Sequence, residues 1–156
     1  MTAIYRWFLF FHLVAALWLA AGIFSSSVVR AYGRRAKTTA ERATSARLLW
    51  RLHVVYTLPG VLAAGGLGFY LLGIGGFRMT ELWVMSSAFL YLLMFLSEAF
   101  VVTPALARQR AAANRALAPD APADAAAPLA EKMPGIVSDI NALLMLVLVS
   151  LMAIKP

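Results

Sequence analysis

The chain has 156 residues, 62% of them hydrophobic, no cysteine and a formal net charge of +7. A soluble domain is only about half apolar, so the composition points away from a water-soluble globule and toward a membrane protein. The lack of cysteine excludes disulfides, thiolate metal sites, cysteine-held iron–sulfur clusters and c-type haem attachment.

The apolar residues fall in four blocks, 7–29, 52–74, 82–102 and 136–154. Each approaches the ~20 residues that cross a ~30 Å hydrocarbon core at ~1.5 Å per residue. Backbone groups cannot stay unpaired in lipid, so the spans must be helices. The predicted fold is all-α: an integral membrane four-helix bundle forming one transmembrane domain over 1–156.

The first block is too long for the ~7–15-residue core of a cleaved signal peptide and has almost no basic leader, which predicts a retained span. It carries His12 within FFHLVAALW, about 8–10 Å inside its boundary by helical rise. Such a histidine can ligate haem iron or a metal, carry a proton, or sit neutral in a hydrogen bond to a neighbouring helix.

The loop over 30–51 holds Arg30, Arg34, Arg35, Lys37, Arg42, Arg47 and Arg51 against Glu41 alone; the loop over 105–135 holds Arg108, Arg110, Arg115 and Lys132. Basic alternate loops follow the positive-inside rule. They predict a multi-pass protein of a bacterial inner membrane, N-out and C-out, with anionic lipids at its cytoplasmic face. Charge laid out this way does not suggest nucleic acid. Thr38 and Glu41 have capping-box spacing, so the second helix should begin near Thr39, project from the membrane, and enter it near Leu48 to Leu52. Trp50 suits the interfacial belt, and Arg51 can snorkel.

The second span contains LPGVLAAGGLG. Pro59 should kink it, because the ring clashes with the Val55 carbonyl. Gly60, Ala64 and Gly68 lie four apart, a small-residue stripe that lets another helix approach. His53 lies near the inner end, by helical rise roughly 15 Å in depth from His12. Two ligands of one iron need nitrogens ~4 Å apart, so these histidines should not share a haem. A short turn over 75–81 follows, with Glu81 and Trp83 anchoring the next span.

Glu98 is the carboxylate well inside span three, and its expected partner is His53, Arg51 or a side chain of span four. Ionisable groups at this depth are functional candidates. Pro104 should bend the end of the span, and the Ala/Pro-rich stretch RALAPDAPADAAAPLAEKMPG reads as a flexible loop. Asp139 opens span four beside Ser138 and Asn141, where it can favour the positive helix terminus. With Ser25, Ser26, Ser27 and Tyr56, the residues His53, Glu98, Asp139 and Asn141 are expected to make an inner-half polar cluster: a half-channel, a pocket or a hydrogen-bond network. Span four should end at 155–156 with essentially no tail. No catalytic triad or carboxylate pair is visible.

His12, Trp18 and Gly22 in span one, Leu58, Pro59 and Gly60 followed by Gly66, Gly68, Tyr70 and Leu71 in span two, and Pro104, Arg108 and Arg110 closing span three make a pattern. Through about Arg110 it resembles the predicted integral membrane proteins grouped as domain of unknown function 2269. That family is distantly similar to copper-resistance D proteins and haem-linked membrane protoporphyrinogen oxidases, which share an early histidine followed by Trp and Gly. The resemblance implies His12 as a haem or metal contact. Three readings follow. The first is a non-catalytic accessory or structural subunit of a larger membrane complex, partnered by other membrane subunits or by further copies of itself. The second is a protein binding haem b, porphyrin or metal through His12. The third is a small proton- or ion-coupled carrier using Glu98, His53 and Asp139.

Overall fold

The computed structural model describes residues 3–122 and 125–154; the expected end of the chain at 155–156 lies outside the described residues. Six α-helices form four long rods: α1 (Ala3–Arg34), α2 (Thr39–Leu52) continued by α3 (Leu58–Gly75), α4 (Leu82–Ser97) continued by α5 (Thr103–Ala116), and α6 (Met133–Ile154). There is no strand among the described residues. All four rods are long and apolar enough to cross a membrane, and the chain is an integral membrane protein of four spans.

α1 packs chiefly on α3, and α4 on α6. Leu19, Ile23, Val61, Met94 and Met145 form the central core where these helices meet. Large side chains such as Trp7, Phe10, Leu17 and Phe100 point outward, as lipid-facing residues must when the solvent is hydrocarbon. Close approach is set by small residues. A Cβ added to Gly60 would lie 2.8 Å from the Leu19 backbone, so α1 and α3 touch only because residue 60 has no side chain.

Each interrupted rod carries a π-helical turn, over His53–Thr57 and Glu98–Val102. Both turns begin six residues before a proline, in HVVYTLP and EAFVVTP. Proline has no N–H and crowds the carbonyl four residues back. The wider turn relieves this: Leu58 N–H reaches His53 O, and Thr103 N–H reaches Glu98 O. The Val55 carbonyl, which Pro59 cannot serve, accepts the Trp18 indole N–H at 2.9 Å. The strain expected at Pro59 is thus absorbed by a local change of helix type and a donor from α1.

Thr38 and Glu41 form the capping box at the start of α2. Two loop expectations need correction. α1 does not stop at 29 but runs to Arg34, and the segment expected to be loop from 105 is helical to Ala116. The reason is tertiary. α5 lies along α2, burying Ala113 beside Ala43 and Ala46, and alanine has the best helix propensity and little bulk. Leu129, in a short 3-10 turn over Ala127–Ala130, packs onto that alanine seam, so the expected flexible stretch is partly docked.

Candidate functional site

Away from the basic end, α1, α3, α4 and α6 line a half-open cavity of about 540 Å³ with nearly all-apolar walls. Its polar lining includes His12, Ser87 and Tyr91. His12 Nδ1 lies 3.0 Å from the Ala64 carbonyl oxygen on α3. A carbonyl only accepts, so Nδ1 carries the proton and Nε2 presents a lone pair. Nε2 has no hydrogen-bond partner among the described residues. Gly68 makes this contact possible. The Ala64 carbonyl points along the helix toward residue 68, where an added Cβ would stand 3.2 Å from His12 Cε1.

The Tyr91 hydroxyl donates to the Val61 carbonyl at 2.8 Å, crossing over Gly65, where any Cβ would collide with it. Ser87 is buried, and its Oγ has no partner. A buried hydroxyl left unpaired is costly, and this one belongs to a residue on the wall of an apolar cavity. Sequence reasoning did not single out Ser87 or Tyr91, because an isolated Ser or Tyr in an apolar run carries no periodic signal.

A second site lies where the two π-turns meet. Asn141 Nδ2 donates to Glu98 Oε1 at 2.8 Å, and His53 Nδ1 stands 3.6 Å from Glu98 Oε2. All three side chains are almost completely buried. Ser97 Oγ lies 2.9 Å from Asn141 Oδ1. Thr103 Oγ1 lies 2.7 Å from the Glu98 carbonyl and 2.8 Å from His53 Nε2, and its one proton serves only one of them; when it goes to the carbonyl, the ring donates the second contact. With Nε2–H fixed, neutral His53 turns a lone pair on Nδ1 toward Glu98 Oε2. An ionised carboxylate there would set acceptor against acceptor. Glu98 Oε2 is buried without a hydrogen-bond partner, and in that tautomer one proton between Glu98 and His53, on either partner, gives a pair of zero net charge.

The structure brings His53, Glu98 and Asn141 together, as the sequence suggested, but not Asp139. Asp139 Oδ1 pairs with Arg30 at 2.9 Å and accepts from Ser27 at 3.1 Å, half exposed on the bundle surface. Residues two apart on a helix stand about 200° apart around its axis, so 139 and 141 of α6 face nearly opposite sides. Tyr56 likewise leaves the cluster to stack on Trp18, ring centroids 5.0 Å apart. His12 and His53 occupy these two separate sites. Among the described residues no three His, Cys, Asp or Glu side chains are grouped to hold a metal ion.

The Gly60, Ala64 and Gly68 stripe faces α1: Gly60 meets Leu19, and Ala64 and Gly68 meet His12. Trp83 Nε1 donates to Glu81 at 2.8 Å at the end of the bundle.

The chain belongs to the family described as predicted integral membrane protein (DUF2269), whose pattern matches residues 7–156. No curated protein and no solved structure matches it.

Proposed function

We propose that this member of the family holds a flat, largely apolar cofactor of the porphyrin class, haem b foremost, between α1, α3, α4 and α6, with His12 as its protein ligand. The observation that carries the reading is the His12–Ala64 hydrogen bond. It fixes the tautomer and ring orientation and leaves Nε2 free on the wall of the cavity. A carbonyl or carboxylate behind the imidazole is the usual support of a metal-ligating histidine.

Three further features support it. About 540 Å³ is within the ~300–1,000 Å³ range of small-molecule and cofactor pockets. A porphyrin brings its own four nitrogen donors, so one imidazole suffices where no cluster of ligating side chains exists. Ser87, Ala88 and Tyr91 of α4 form part of the cavity wall opposite His12. A bound haem would supply one-electron redox chemistry. This chain would orient it through His12 and keep water from it with apolar walls. A role as a small cofactor-holding subunit of a larger inner-membrane assembly fits a four-span chain whose remaining residues lie mainly in two basic segments, 30–51 and 105–135.

The test is an absorption spectrum of gently purified, haem-replete protein, oxidised and dithionite-reduced, beside His12→Ala. A Soret band present in the first and lost in the variant is the expected result. Protein without a chromophore that also shows no His12-dependent band on titration with hemin would overturn the reading.

A second reading, proton-coupled transport, is favoured by the one-proton geometry of Glu98 and His53. It drops Asp139 from the proposed set. Glu98→Gln in liposomes should then abolish proton-linked flux, and unchanged flux would remove it.

A further inference from the structure

Where α2 and α5 lie side by side at the basic end, Arg47 and Arg51 of α2 converge with Arg110 and Asn114 of α5 around a pocket of about 250 Å³. Each pair is one helical turn apart, so both members stand on the same face. The alanine seam beneath, with Ala43, Ala46 and Ala113, brings the two helices close enough for their arginines to meet. Trp50 lines the pocket, and the Arg110 guanidinium lies 5.5 Å from its ring centroid, a cation–π contact that holds the arginine in place. Val54 and Val55 complete the lining on the side that enters the membrane, and both are substantially exposed.

None of these three arginines has an acidic partner among the described residues; the ion pairs there are Arg30 with Asp139, Arg108 with Glu131, and His53 with Glu98. Three like charges around one small pocket repel one another, and a bound anion removes that cost. Guanidinium is the group best shaped to grip phosphate oxygens. An indole beside it and an apolar wall leading into hydrocarbon fit a ligand that is charged at one end and greasy at the other.

We propose that this pocket is a binding site for the phosphodiester headgroup of an anionic phospholipid, held by Arg47, Arg51 and Arg110, with an acyl chain running along Val54 and Val55. The site is independent of the cavity at His12. It differs from the general attraction of a basic surface in having a defined place and ligand set.

The experiment is native mass spectrometry of the full chain in detergent, titrated with phosphatidylglycerol, phosphatidylcholine or inorganic phosphate. Three proteins are compared: the parent, Arg51→Gln/Arg110→Gln, and Arg34→Gln/Arg35→Gln, which loses the same charge from exposed positions outside the pocket. Phosphatidylglycerol should bind the parent about tenfold more tightly than phosphatidylcholine. The pocket variant should lose that preference, and the Arg34/Arg35 variant should keep it. An equal loss in both variants would reduce the site to diffuse electrostatics. Displacement of the lipid by inorganic phosphate at equal concentration would show a free-phosphate site instead. All these positions are exposed, and an unchanged melting temperature confirms that each variant is folded.

Discussion

Trp18 donates its indole N–H to the carbonyl of Val55, the carbonyl that Pro59 leaves without a helical donor. A proline in one span is thus completed by a side chain of another. The link joins α1 to the first π-turn, between the two candidate sites, and its loss should be measurable.

Trp18→Phe keeps an aromatic ring against Tyr56 but removes the donor, and should lower stability in detergent by about 1 kcal/mol. In a Pro59→Ala background, residue 59 regains an N–H that can serve Val55, so the same change should cost less. Thermal melts of the four proteins make the cycle. Equal costs in both backgrounds would mean that the carbonyl contact contributes nothing.

Glu98→Gln should be tolerated. The glutamine amide can donate to His53 Nδ1 while its oxygen accepts from Asn141, reproducing the one-proton arrangement without a titrating group. A change in stability under about 1 kcal/mol is expected. His53→Ala instead leaves a void beside Glu98 and removes the ring that contacts Thr103 Oγ1, and should cost about 2–4 kcal/mol. Comparable losses in both would argue that Glu98 is ionised and neutralised by something other than His53.

Thr103→Val tests the tautomer. It removes the acceptor for His53 Nε2–H, whereas Thr103→Ser retains it. Histidine nitrogen shifts by NMR should report Nε2–H in the parent and in the serine variant, and a changed ring state in the valine variant. An Nδ1–H ring in the parent would contradict the one-proton assignment.

Gly60 and Gly68 share a stripe but should differ in sensitivity. An alanine at 60 meets the backbone of Leu19, which cannot move aside, and should cost about 1–3 kcal/mol. An alanine at 68 meets only the edge of the His12 ring, which can rotate. Gly68→Ala should leave the melting temperature nearly unchanged while altering the His12-dependent absorption band. The reverse ranking would mean that α1 and α3 do not pack as described.

The number of spans, the capping box, the two prolines and the apolar setting of His12 and Glu98 are all written in the sequence. They depend on local chemistry: hydrocarbon thickness, backbone pairing and ring geometry act within one segment. The partners of those residues are not. That His53 meets Glu98 and Asn141 while Asp139 turns to Arg30 depends on which face of α6 each residue takes once the helices pack. The helix at 103–116, which reads as loop, exists because α2 offers an alanine seam to lie on. The free nitrogen of His12 follows from a carbonyl on α3 reached over Gly68. Sequence fixes what each span needs; only the packed bundle decides which neighbour supplies it, because those contacts join residues about 40 to 110 positions apart.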